Sequence, residues 1–299
     1  VRTAWGSATD RGRVREVNED ALLAYPPVFL VADGMGGHDA GDLASRIAVE
    51  EFAQLAGRSS AGPDDVHACF ARTSARIRDE FTGGRQGGTT VAGAAVAEHD
   101  GGSYWLVFNV GDSRVYRWAD DALAQVSVDH SVVQELLESG EIDPTQVPRH
   151  PERHVLTRAL GTGEPPEPDY WLLPAGPQDR LLICTDGLTR ELDDAAIASV
   201  LAAVADPQEA AARLVQDALA HGGRDNVSAV VVDVAATVTA ADDVQATAPR
   251  PAPDAEPFLW DEMLNGATLP RAPRLPAATP DDRPAAPPST AHHVQEDRP

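Results

Sequence analysis

Val28-Phe29-Leu30-Val31-Ala32-Asp33-Gly34 is a short apolar run closed by an acid and a glycine. Unbroken hydrophobicity over so few residues reads as a strand buried on both faces. Downstream, a helix is expected from about Asp39 to Ala56, because Ala44, Ile47, Ala48, Phe52 and Leu55 keep helical spacing. A second helix follows Pro63, with Val66, Phe70, Ile77 and Phe81 on one face. Four strand candidates come next, Thr89–Ala97, Tyr104–Val110, Arg114–Trp118 and Leu123–Val126, and their succession suggests an antiparallel meander. After a mixed polar stretch, 130–163, two further strands are read at Trp171–Leu173 and Arg180–Thr185. Helices at 194–203 and 207–220 follow, the second opened by the cap Asp206-Pro207, and Asn226–Val234 is a last strand. Strands outnumber helices, and the helices come in two separated pairs. The fold class expected is α+β: a four-layer αββα sandwich of two mainly antiparallel sheets, with a helix pair on each outer face.

Composition narrows the function. The chain has 299 residues and a formal net charge of −23, with 47 Asp+Glu against 24 basic residues, all of them arginine. Without lysine, P-loop, Schiff-base and kinase-type phosphate chemistry are excluded. A pI near 4.6 argues against a nucleic-acid partner, whose affinity comes from cations meeting phosphates. Two cysteines are too few for a disulfide scaffold or a structural zinc cluster. No apolar stretch is long enough to span a membrane, and the first ten residues lack the layout of a signal peptide, so a cytoplasmic setting is expected. From Pro249 onward lie 12 of the 24 prolines. Residues 237–299 are therefore expected to be a disordered tail, separate from a catalytic domain at 1–236. An island in it, Phe258-Leu259-Trp260 with Met263 and Leu264, is a candidate docking motif for a partner.

Chemistry gathers at the strand ends. Asp33-Gly34, Gly111-Asp112 and Asp186-Gly187 each follow a strand, Asp225-Asn226 precedes the last one, and Glu19-Asp20 opens an early one. A lone aspartate beside a strand is usually a turn former. Five such positions converging at one end of a sandwich would repel one another unless hard divalent cations joined them. Two such ions lower the pKa of water and clamp the oxygens of an in-line displacement, which makes a phosphoester the natural substrate. Arg15, four residues before Glu19, is the candidate phosphate ligand, since guanidinium meets phosphate bidentately.

The strings Arg15-Glu16-Val17-Asn18-Glu19-Asp20, Val31 to Gly41, Gly87-Gly88-Thr89-Thr90, Asn109-Val110-Gly111-Asp112-Ser113-Arg114, His150-Pro151-Glu152-Arg153, Leu156 to Gly161, Thr185-Asp186-Gly187-Leu188 and Arg224-Asp225-Asn226-Val227 stand in one order. Taken together they resemble the metal-dependent protein Ser/Thr phosphatases of type 2C, in their bacterial form, over about residues 1–236. The resemblance implies hydrolysis of phosphoserine and phosphothreonine in proteins by a water that bridges two Mn²⁺ or Mg²⁺ ions and attacks phosphorus directly. It implies that Asp33 bridges both ions and Gly34 offers its carbonyl. Asp186 and Asp225 would complete the first site, and Glu19 and Asp20 would serve the second. Asp112, with Asp186, would bind a third, weaker ion. Arg15 would hold the phosphate, His38 would be a candidate general acid, and the segment 130–163 would be a flap beside the site carrying His150 toward substrate. Partners would be phosphorylated Ser/Thr proteins, substrates of a cognate kinase. One departure stands out: relatives often place an aspartate four residues after Asp186, where this chain has Arg190. That arginine would compete with the third ion or contact phosphate.

Two rival readings use the same residues. Cys184-Thr185-Asp186-Gly187-Leu188-Thr189-Arg190 matches the spacing of a cysteine-dependent phosphatase loop, although Asp186 would put a negative charge inside its anion cradle. The other rival is a phosphoprotein-binding regulatory module that keeps the fold and loses turnover. A lysine-free composition rich in Ala, Arg, Asp and Pro suggests a GC-rich bacterial source.

Overall fold

The computed structural model describes residues 1–36, 40–82, 86–163 and 165–236. The expected tail, 237–299, and the candidate acid His38 lie outside the described residues. The architecture is α+β. One sheet runs β1 (Arg2–Asp10), β11 (Val227–Ala236), β10 (Arg180–Cys184), β7 (Arg114–Ala119), β8 (Ala122–Gln125). The other runs β2 (Asp20–Tyr25), β3 (Val28–Gly36), β5 (Val91–His99), β6 (Gly102–Val110), β9 (Asp169–Pro174), with the short β4 (Gly87–Thr89) also paired to β3. Every described pairing is antiparallel.

Three apolar layers hold these parts together. Between the sheets, Phe29, Val31, Trp105, Val107, Leu181, Ile183, Val230 and Val232 interlock. Outside the second sheet, α1 (Ala40–Phe52) and α2 (Pro63–Glu80) lay Ile47, Phe52, Phe70 and Ile77 against Leu30, Leu106 and Phe108. Phe52 stacks on Phe108 at 5.3 Å and meets Phe70 edge-on at 5.1 Å. Outside the first sheet, α5 (Asp194–Ala203) and α6 (Pro207–His221) bury Ile197, Leu201 and Leu214 against Leu182 and Val231. Each such side chain contributes about 1.5–3 kcal/mol when fully buried. The pattern explains the opening sequence: β3 has a helix pair on one face and a sheet on the other, so its first five residues are all buried. Asp206 caps α6, accepting the Glu209 N–H at 2.8 Å.

The expected single meander is corrected. β5 and β6 form one hairpin and β7 and β8 another, and the two hairpins lie in different sheets. The chain crosses between sheets at Gly111-Asp112-Ser113, where Gly111 has φ +110°, a conformation open to glycine and costly for other residues. The strand that sequence reading passed over, β1, pairs along its whole length with β11.

Candidate active site

Antiparallel pairing brings the acidic strand ends to one end of the sandwich. Asp20 at the start of β2 is in register with Asp33 near the end of β3. Asp112 sits on the crossover from β6 to β7, Asp186 opens a one-turn helix, α4 (Asp186–Thr189), directly after β10, and Asp225 precedes β11. Close backbone packing shapes this end. A Cβ on Gly34 would lie 2.3 Å from the Gly41 carbonyl oxygen and 2.5 Å from that of Glu19. One on Gly187 would lie 1.9 Å from the Asn226 carbonyl oxygen. Glycine at these two positions lets β3 and α4 approach their neighbours.

A cleft of about 670 Å³ opens here, lined by Arg15, Glu19, Asp33, Gly34, Thr90, Asp112, His154, Arg158, Thr162, Asp186, Arg190, Asp225 and Asn226 among others. Its electrostatics are unfavourable for so many carboxylates. Burial pushes Asp33 well above the usual carboxylate range, and the charges of Asp20, Asp186, Asp112 and Asp225 add to the shift. Asp186 is raised in the same way, by burial and then by Asp112, with Arg190 opposing. Asp20 rises to about 7 through burial, against hydrogen bonds from Ser228 and Thr185 at 2.7 and 2.9 Å. Asp112 rises to about 6 through burial and Asp129, while Arg190 and Arg114 pull it down. Asp20 Oδ1 and Asp186 Oδ1 are buried without a hydrogen-bond partner among the described residues. Crowded, desolvated, hard oxygen donors of this kind suit Mg²⁺ or Mn²⁺.

Two guanidinium groups stand among the acids. Arg15 grips Asp225 with both arms, Nε to Oδ1 at 2.8 Å and Nη2 to Oδ2 at 2.9 Å. Arg190 donates from Nη1 to Asp225 Oδ2 at 2.7 Å and pairs through Nη2 with Asp186 Oδ2. Among the described residues, no group of three or more His, Cys, Asp or Glu side chains is placed to hold a metal ion as they stand. The loop carrying Arg15 and Glu19 is fastened by Asn226. Its Nδ2 donates to the carbonyls of Arg11 and Val17, both at 2.9 Å, and its Oδ1 accepts the Glu19 N–H at 2.9 Å.

The flap arranges its histidines differently from the sequence reading. His150 does not line the cleft; it ends a 3₁₀ turn, and its Nδ1 accepts the Glu152 N–H at 3.2 Å. His154, four residues on, lines the cleft instead, with its pKa lowered by burial and by Arg190 and Arg153. Sequence reading also missed His130, which is buried and ties the flap to the crossover. It accepts the Gly111 N–H on Nδ1 at 3.1 Å, its carbonyl accepts the Thr157 N–H at 2.9 Å, and Nε2 faces Asp169 at 3.2 Å. The segment 130–163 holds one helix, α3 (Val132–Ser139), but the stretch after it that carries His150 and His154 is irregular and gives no periodic signal from which their placement could be read. Cys184 is fully buried on β10, and burial pushes its thiol up to about 12, so it is no thiolate nucleophile at neutral pH.

The sequence profile described as Protein phosphatase 2C matches residues 10–222. The chain belongs to the protein phosphatase 2C family. A serine/threonine phosphatase, stp, of Listeria innocua is 34% identical over 239 residues, covering 75% of this chain and 93% of the relative. The Ser-Thr phosphatase MsPP of Mycobacterium smegmatis, solved with cacodylate, has 39% identity and a TM-score of 0.70, covering 77% of this chain and 98% of that one. The catalytic domain of the phosphatase PstP, solved with two manganese ions, has 33% identity and a TM-score of 0.70, covering 77% and 97%. This protein phosphatase 2C is thus a serine/threonine protein phosphatase with the family's sandwich. Among its described residues, no helix is long and apolar enough to cross a membrane.

Proposed function

We propose that the acidic cleft hydrolyses phosphoserine and phosphothreonine in proteins, with Mn²⁺ or Mg²⁺ held by Asp33, Gly34, Asp186, Asp225, Glu19 and Asp20, and a third, weaker ion between Asp112 and Asp186. When bound, the ions supply water activated at neutral pH and neutralise the charge of the phosphoryl group. The observation that carries the reading is the crowding itself: carboxylates from five separate segments share one cleft and raise one another's pKa values, a cost that divalent cations remove. Manganese in the PstP catalytic domain supports the same assignment.

The chain's own groups do the rest. Arg15, half exposed at the cleft, exchanges Asp225 for the phosphate oxygens of the substrate and orients phosphorus for in-line attack. Attack is direct, and no covalent phosphate forms on the protein. A histidine protonates the leaving alkoxide. His38 is assigned this role from its position five residues after Asp33, and His154 is the second candidate because it lines the cleft. Comparing the alkaline limbs of the pH–rate profiles of His38→Gln and His154→Gln separates them. We further assign 1–236 to the phosphatase and 237–299 to a tail that recruits partners, with substrates supplied by a Ser/Thr kinase in the cytoplasm.

The decisive experiment is Mn²⁺ titration of phosphothreonine-peptide hydrolysis. Activity is expected to need the ion and to vanish in excess EDTA. Activity that survives EDTA, or a phosphoenzyme trapped by acid quench, overturns the mechanism. Metal-dependent binding of phosphopeptide without turnover would favour the regulatory module.

A further inference from the structure

We propose that Arg190 is a resident cation of the acidic cleft: it holds Asp186 and Asp225 together in the metal-free protein, and a divalent ion must displace it to bind them. The inference rests on the reading of these two aspartates as metal ligands. Its first support is the bridge itself. The two arms of one guanidinium engage Oδ2 of Asp186 and Oδ2 of Asp225, acids that approach from opposite strands, one after β10 and the other before β11. An ion shared by these acids meets Asp225 with both oxygens engaged and Asp186 with Oδ2 engaged.

The second support is redundancy. Arg15 already satisfies Asp225 with a two-armed pair, so a second arginine on the same carboxylate adds little to its neutralisation. Asp186, by contrast, keeps Oδ1 buried and without a hydrogen-bond partner among the described residues, so Arg190 leaves half of that carboxylate unserved. At the far end of the same two strands Arg180 instead takes both oxygens of a single acid, Asp233, each at 2.7 Å. The third support is tethering. Arg190 lies four residues after Asp186, at the end of the one-turn helix α4, so its guanidinium stays close to the site whether engaged or displaced. Competition of this kind lowers the affinity for the ion below what the carboxylates alone would give, and it keeps the cleft assembled when the ion is scarce.

The test is calorimetric titration of Mn²⁺ into the EDTA-stripped full chain, with melting temperatures measured in parallel. Arg190→Gln is expected to bind Mn²⁺ about tenfold more tightly than the unmodified protein, because the competing charge-assisted bonds are gone. Without metal it is expected to melt lower. Arg224→Gln is the control: it removes the same charge at the cleft's neighbouring pocket, from a side chain whose ion pair is with Glu191. It should leave the Mn²⁺ affinity within about twofold. Unchanged affinity in Arg190→Gln overturns the proposal, as does an equal gain in both variants, which would mark a general field effect. Should Arg190→Gln not fold, Arg190→Lys replaces it. Lysine keeps the charge but lacks the planar fork that spans two carboxylates, so tighter binding is still expected and equal affinity is the refuting result. Absence of Mn²⁺ binding in every protein would overturn the metal assignment itself, and displacement with it.

Discussion

The β10–β11 pair has acids near both of its ends, and the two ends treat those acids in opposite ways. At one end Arg180 and Asp233 face each other in register, and the guanidinium also donates to the carbonyls of Leu201, Val204 and Ala205 at 2.5 to 2.7 Å. One cation meets one anion, and the remaining donors close the end of α5. At the other end Asp186 and Asp225 join Asp20, Asp33 and Asp112, and carboxylates outnumber guanidinium groups. The α1–α2 interface is balanced as well, by two arginines on one buried acid. Burial alone would raise Glu51, yet hydrogen bonds from Arg76 and Arg72 hold its carboxyl below the usual range. This chain therefore has a working means of balancing buried acids and withholds it at one place. The unbalanced end is where the chemistry is proposed.

The contrast is most easily broken at Asp33. Asp33→Asn should lower Mn²⁺-dependent phosphopeptide kcat/KM by about a thousandfold or more, since it removes the acid assigned to both ions. The same variant should melt higher than the unmodified protein in EDTA, because a buried charge that others oppose is gone. A lower melting point in EDTA would mean that Asp33 is a structural acid like Asp233. At the balanced end the signs reverse. Arg180→Ala should cost about 3 kcal/mol of stability, read by urea unfolding, because it strands Asp233 and three carbonyls. Its kcat/KM per folded molecule should stay within about twofold of the starting value, as expected for a distant site. Glu51→Gln should cost about 2 kcal/mol by the same measurement, again without affecting turnover.

Acidity sharpens the comparison further. Asp20 and Asp112 have folded pKa values raised to about 7 and about 6. A raised folded pKa means that the folded state binds the proton more tightly than the unfolded chain. The associated stability is full below the unfolded value, about 4, and is lost as pH climbs through the folded values. Metal-free protein should therefore melt higher near pH 5 than near pH 7.5, and saturating Mn²⁺ should flatten or reverse that slope. Glu51 acts in the opposite sense, its contribution fading only as pH falls through its lowered pKa. The smallest effect is expected at Cys184. Cys184→Ser should leave kcat/KM within about twofold, because the thiol is buried and protonated. A large loss of turnover would revive the cysteine mechanism.

Much of this arrangement was legible in the chain. β3 announced itself because burial on both faces demands an unbroken apolar run. The acids at Asp33, Asp112, Asp186 and Asp225 could be read because each lies beside a recognisable strand. β1 could not, since its residues are mostly half-buried and small, with Trp5 partly exposed. The crossover at Gly111 was hidden for another reason: two hairpins in one sheet and two hairpins in two sheets have the same local periodicity. Arg190 was visible as a departure four residues from Asp186. Its hold on Asp225 depends on the β10–β11 pairing, which no short window contains. The exchange of His150 for His154 has the same origin, since loop geometry decides which side of a turn faces the cleft.

The amide of Asn226 limits how this chain can change in length upstream of Glu19. Three backbone positions more than two hundred residues upstream take their registration from one planar group, two through its donors and one through its acceptor. Insertions between Arg11 and Val17 lengthen the span that bears Arg15, whereas Val17 and Glu19 are hooked only two residues apart and leave no slack for another residue. Exchange for aspartate, identical in outline, would turn both donors into acceptors and unhook the span that bears Arg15.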